Sequence, residues 1–134
     1  MVIGRIWIVA AVAATAFVSL AQAQDGLSPK NRQELKRSDV SGTNMEIIIS
    51  VVENQPGETL PLHIHHGEEA FYVLQGGTFE TSDGKQVKLP TGAAAINARD
   101  VPHAGVKVVG DTPFKYLAVH VVDKGVPLYD APPK

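Results

Sequence analysis

A chain of 134 residues has room for one domain with one core, and its 14 acids against 12 bases give a formal net charge of −2. That balance argues against nucleic acid as a partner, because phosphate binding needs a concentrated positive surface, and the one basic stretch, KNRQELKR, also contains Glu34. The chain has no cysteine, which excludes disulfides, thiol chemistry and Cys-ligated zinc.

The opening, MVIGRIWIVAAVAATAFVSLAQAQDG, reads as a targeting segment. Arg5 supplies a short positive region, residues 6–20 are an apolar run, and Ala21-Gln22-Ala23 offers the small-x-small pattern of a cleavage site. The run is shorter than the roughly 20 residues of a bilayer span. Residues 1–23 are therefore expected to be a signal peptide, with export to the periplasm or the medium and no stable membrane association after cleavage. Removal of that segment takes away Arg5 and no acid, so the mature chain, beginning at Gln24, carries a net charge of −3.

Residues 24–40 are polar, with Gly26 and Pro29, and are expected to be a mobile leader ending in a short helical turn around residues 32–36. Residues 41–134 change character. Short apolar, β-branched runs (MEIIISVVE, LHIH, EAFYVLQ, TFET, KQVKL, AAAIN, AGVKVV and FKYLAVHVV) alternate with turn signals. Among the latter, Asp83-Gly84 predicts a two-residue hairpin. No window beyond the opening segment has a helical period, so the chain predicts one all-β sandwich or barrel.

The stretch PLHIHHGEEAFYVLQG crowds three of the five histidines beside two glutamates. Along a strand, residues two apart share a face. His63 and His65 then point one way, His66 turns away at the surface, and Glu69 opens the next strand on the same side as Phe71 and Val73. Glu68 faces away with His66. Two imidazoles and a carboxylate converging in an apolar interior are costly without a partner. A divalent transition metal (iron, manganese, nickel, cobalt or zinc) suits that donor set, whereas calcium prefers oxygen alone. A fourth ligand has to come from His103 or His120. His120 lies within YLAVHVV and reads as a core or interface histidine. Phe71 and Phe79 read equally as pocket walls or as plain core.

The segment GETLPLHIHHGEEAFYVLQG resembles the first motif of the cupin superfamily, in which Gly57, His63, His65, Glu69 and Gly76 fill every fixed place. The second motif fits best when started at Gly92. That register places His103 at the ligand position, with Ala98, Asp100 and Lys107 where the family has Pro, Gly and Asn. The resemblance implies a small jelly-roll β-barrel (a double-stranded β-helix) over residues 41–134. It further implies one metal held by His63, His65, Glu69 and His103, and a homodimer. Two coordination positions would stay open for a small-molecule ligand or substrate. A metal-dependent dioxygenase acting on a small oxygen-bearing molecule is the expected activity. The alternatives are a non-enzymatic metal- or ligand-binding module and a metal-dependent isomerase or lyase. Arg99 and Lys107 are the nearby cations that could grip a charged substrate.

Overall fold

The computed structural model describes residues 26–134, so the expected signal peptide lies outside the described residues. Nine strands follow in order: β1 (Asn31–Asp39), β2 (Met45–Asn54), β3 (Thr59–Leu60), β4 (Gly67–Gln75), β5 (Gly77–Glu80), β6 (Gln86–Leu89), β7 (Ala94–Asn97), β8 (Val106–Val109) and β9 (Phe114–Asp123). They form two sheets, ordered β1-β2-β9-β4-β7 and β3-β8-β5-β6, with every pairing antiparallel. This is the all-β architecture that the turn-punctuated sequence predicts, in the jelly-roll form that the resemblance implies. Among the described residues no helix is long and apolar enough to cross a membrane.

Strict alternation decides which side chains meet between the sheets. On β9, Phe114, Tyr116, Ala118, His120 and Val122 are all buried. Val52, Val73, Phe79 and Val108 join Phe114, Tyr116 and Ala118 in one apolar cluster. The inward histidine of β9 thus extends the same face as the core aromatics.

Three expectations need correction. The leader is not loose and has no helical turn: residues 31–39 pair along β2 from Asn31↔Glu53 to Asp39↔Glu46. As an edge strand, β1 is almost wholly exposed, so it carries charge rather than an apolar alternation. Its charges tie it down locally, with Arg37 bonded to Glu34 and to Glu46. LHIH is not a regular strand either; it is held by isolated bridges, His63↔His103 and Ile64↔Asp130. The hairpin after β5 is longer than two residues. Thr81 donates its N–H to the Lys85 carbonyl and Gly84 takes the left-handed φ of 78°, the three-residue loop that places a glycine at its end.

The two outer glycines of the first motif have separate causes. Gly57 sits at φ 88°, a left-handed position that favours glycine. A Cβ on Gly76 would lie 2.7 Å from the Leu89 carbonyl oxygen and 2.8 Å from the Thr91 nitrogen, so close backbone approach excludes a side chain there.

Candidate metal centre

The structure brings His63, His65, Glu69 and His103 together at one end of the space between the sheets. Glu69 enters from β4, where alternation turns it inward with Val73 while Tyr72 stays exposed. His63 and His103 come from irregular segments. Their backbones exchange hydrogen bonds in both directions, His63 N to His103 O and His103 N to His63 O, at 3.2 and 3.0 Å. Residues paired in this way project their side chains to the same side. That pair, rather than a full strand, carries His103 to the ligands of the first motif.

The three imidazoles share one orientation. His63 Nδ1 donates to the Pro61 carbonyl, His65 Nδ1 to the Leu128 carbonyl and His103 Nδ1 to the Val101 carbonyl. A carbonyl only accepts, so each Nδ1 carries the proton and each Nε2 presents a lone pair. Two of those lone pairs face each other: His63 Nε2 and His65 Nε2 are 3.2 Å apart. Glu69 Oε2 lies 3.5 Å from His65 Nε2 and 3.4 Å from His103 Nε2. Asn97 donates to the same oxygen at 2.7 Å, fixing the carboxylate. His103 Nε2 is buried without a hydrogen-bond partner. Such a donor set fits a divalent transition metal, which would satisfy the lone pairs and balance the carboxylate.

Burial pushes the His63 imidazole down to about 4 against the weaker opposing pull of the Pro61 carbonyl, which keeps the ring neutral. Burial pushes the Glu69 carboxyl up, but the neighbouring imidazoles of His103, His65 and His120 outweigh it and hold the group well below the ordinary range. His103 loses basicity to burial and regains more from Glu69, so its pKa is raised.

His120 departs from the sequence expectation. It is fully buried on β9, yet neither ring nitrogen has a hydrogen-bond partner, so it is no satisfied core histidine. Its Nε2 is 3.5 Å from Glu69 Oε1, and burial depresses its pKa to about 3. Potential ligand atoms of His63, His65 and His103 form one trio within 4.8 Å, and those of His65, Glu69 and His120 form another. Glu69 and His65 therefore face histidines from three segments of the chain.

Three further residues escaped the sequence reading. Asn97 is one; its only signal was a polar residue ending the run AAAIN, and the register Glu69↔Asn97 explains its placement. Tyr129 is the second, with its ring 5.0 Å from that of His63 and 4.9 Å from that of His65. Leu128, the third, acts only through its carbonyl, which no side-chain pattern could announce. His66 does turn to the surface, where Nδ1 meets Asp100 at 2.9 Å and Nε2 meets Asp130 at 3.1 Å. Asp100 belongs to the loop leading to His103 and takes a left-handed φ of 58°, a position at which aspartate can replace glycine. Arg99, one of the two expected substrate grips, is instead paired through both guanidinium ends with Asp123.

Comparison with known proteins is consistent with this architecture. The family model described as a cupin domain matches residues 50–120, which span both motifs. The polyketide cyclase RemF from Streptomyces resistomycificus superposes with a TM-score of 0.52 at 23% identity, over 71% of this chain and 66% of the cyclase. This chain thus spans just under two thirds of that protein. An uncharacterized conserved protein with a double-stranded β-helix domain from Klebsiella pneumoniae superposes with a TM-score of 0.51 at 24% identity, over 81% of this chain and 94% of the other. At these identities the likeness shows the fold. No curated protein matches the chain.

Proposed function

We propose that this chain, which belongs to the cupin domain family, holds one divalent transition metal through His63, His65, Glu69 and His103 and acts there on a small oxygen-bearing molecule. The observation that carries the reading is the pair of facing Nε2 atoms 3.2 Å apart, each on a ring whose proton is committed to a backbone carbonyl. Without a shared cation, two lone pairs at that distance repel in a low-dielectric interior.

The chain's own residues prepare the site. Pro61, Leu128 and Val101 carbonyls fix the tautomer and the aim of the three rings. Asn97 holds one Glu69 oxygen, and His120 faces the other. The apolar space beside them limits water. A metal bound there would supply Lewis-acid polarisation of a substrate oxygen and, if redox-active, electrons for dioxygen chemistry. A metal-dependent dioxygenase is the enzyme reading; an isomerase or lyase, and a binding module without turnover, are the alternatives. Dioxygen uptake by iron-loaded protein, screened against small phenols and diketones, separates them. Consumption with one substrate supports the oxygenase, product without dioxygen the isomerase or lyase, and saturable binding without product the module.

Two further proposals accompany this one. The positive start, apolar run and Ala21-Gln22-Ala23 support export with cleavage after Ala23, which intact-mass measurement of the exported protein tests. The outer face of the larger sheet supports a homodimer: Ile49, Val119, Ala70 and Ile96 lie in one register row, and Ile96 is 71% exposed. Sedimentation of wild type and Ile96→Lys tests it; a monomer in both would remove the dimer.

A further inference from the structure

The cavity that opens from the metal centre has a volume of about 280 Å³, near the lower end of the roughly 300–1,000 Å³ usual for drug-sized ligands. Its two ends differ in chemistry. His63, Glu69, Asn97 and His103 supply polar groups at the metal end, whereas Phe71, Phe79, Phe114, Leu89 and Val106 wall the body. Three aromatic pairs continue the wall: Phe79 meets Phe114 edge-on at 4.7 Å, Phe114 stacks on Tyr116 at 5.3 Å, and Tyr116 meets Phe71 edge-on at 6.1 Å. All three phenylalanines of the described residues line this one space.

No lysine or arginine lines it among the described residues. Arg99 is committed to Asp123, and Lys107 is exposed on β8, between Val106 and Val108 of the inward face. The Thr81 hydroxyl, another polar group on the wall, already has its single proton shared between the Asp83 carboxylate and the Lys85 carbonyl. A sugar would bury hydroxyls along its length with few partners, and a second carboxylate or a phosphate would enter an apolar wall without a counter-charge.

We propose that this cavity takes an uncharged single-ring aromatic molecule of the phenol or catechol class, its oxygen toward the metal end and its ring among Phe71, Phe79, Phe114 and Tyr116. The inference rests on the metal-binding reading for the oxygen end; the wall alone decides the class of the body. Flat rings fill the gap between edge-on and stacked aromatic neighbours better than an aliphatic chain of equal volume, because ring edges and faces are complementary in charge.

The test titrates zinc-loaded protein, its metal content measured on the same sample, with catechol, phenol, malonate, inorganic phosphate and glucose by calorimetry. Catechol and phenol are expected to bind at least about 10-fold more tightly than the other three, a factor of ten corresponding to about 1.4 kcal/mol. Val87→Phe, at a half-exposed position of the lining, should weaken catechol by a similar factor while zinc content stays unchanged. Malonate, phosphate or glucose binding as tightly as catechol would overturn the proposal, as would catechol binding that Val87→Phe does not alter. If zinc does not load, the metal reading fails, and the wall is then tested by toluene on the unloaded protein. Saturable toluene binding weakened by Val87→Phe would uphold the aromatic class, and no binding would overturn it.

Discussion

Residues 57–76 and 92–107 both deliver ligands to one centre, but they do so by different physics. In the first segment Glu69 stands on a regular strand, and alternation alone settles which of two adjacent glutamates points inward. Gly57 and Gly76 hold the ends, one by its left-handed φ and the other by a backbone approach that admits no Cβ. In the second segment His103 belongs to no strand. It reaches the site through one reciprocal backbone pair with His63, preceded by Asp100 at φ 58° and followed by Ala104 at φ 66°. A ligand placed by a strand is specified by spacing; a ligand placed by a loop is specified by turn residues and by whatever the loop rests on.

The largest effect should come from breaking the strand-specified side. Glu69→Gln should lower metal affinity by more than the roughly 10–100-fold that outer partners of a metal ligand typically cost, and Glu68→Gln should leave it unchanged. Calorimetric titration of both variants measures this, and equal losses would contradict the face assignment. Asn97→Ala comes next. It removes the donor that fixes Glu69 Oε2, so affinity should fall about 10–100-fold with stoichiometry retained.

Two histidines of the first segment then sharpen the comparison through pH. His63, its pKa lowered from 6.5 to about 4 by burial, stays neutral in the fold after the unfolded chain has taken up its proton. Metal-free protein should lose that stability as pH falls from about 6.5 through 4, because the unfolded state binds more protons in that window. His66 has the opposite sign. Its pKa is raised by Asp130 and Asp100 despite some burial, so its contribution is full below 6.5 and disappears as pH rises through its folded value. Melts in chelator should therefore show His66→Ala destabilising at pH 5.5 and nearly silent at pH 9. A His66→Ala difference that grew with pH would contradict the two aspartate contacts.

The smallest effect belongs to the loop. Ala104→Gly relieves a left-handed alanine but frees the unfolded chain, two opposed terms of about 1 kcal/mol each. Its stability should stay within about 1 kcal/mol of wild type by denaturant titration, with metal stoichiometry unchanged.

The same contrast marks what was legible in the sequence. The core strands announced themselves because β2, β4 and β9 are apolar, β-branched runs bounded by turn signals, although which face is buried is not written in residue type: on β2 Ser50 and Asn54 are buried while Ile49 is not. β1 left no such trace, since a charged edge strand solvated on both faces looks like a linker. The inward turn of Glu69 follows from side-chain period, whereas His63 and His65 reach it from a segment held by isolated bridges. Asn97, Tyr129 and the Leu128 carbonyl depend on register and on the path of the C-terminal segment, which no local pattern encodes. His120 was visible as an inward residue of β9. What the sequence could not say was that no hydrogen-bonding group would meet its ring.

The most direct test is native mass spectrometry of zinc-exposed wild type and of the His63→Ala/His103→Ala double variant, with circular dichroism to establish that both are folded. One zinc ion per chain in the wild type and none in the double variant is the result expected of a centre built from both segments. A folded double variant that still retains one ion per chain would show that His63 and His103 do not hold the metal, and the paired lone pairs of His63 and His65 would need another explanation.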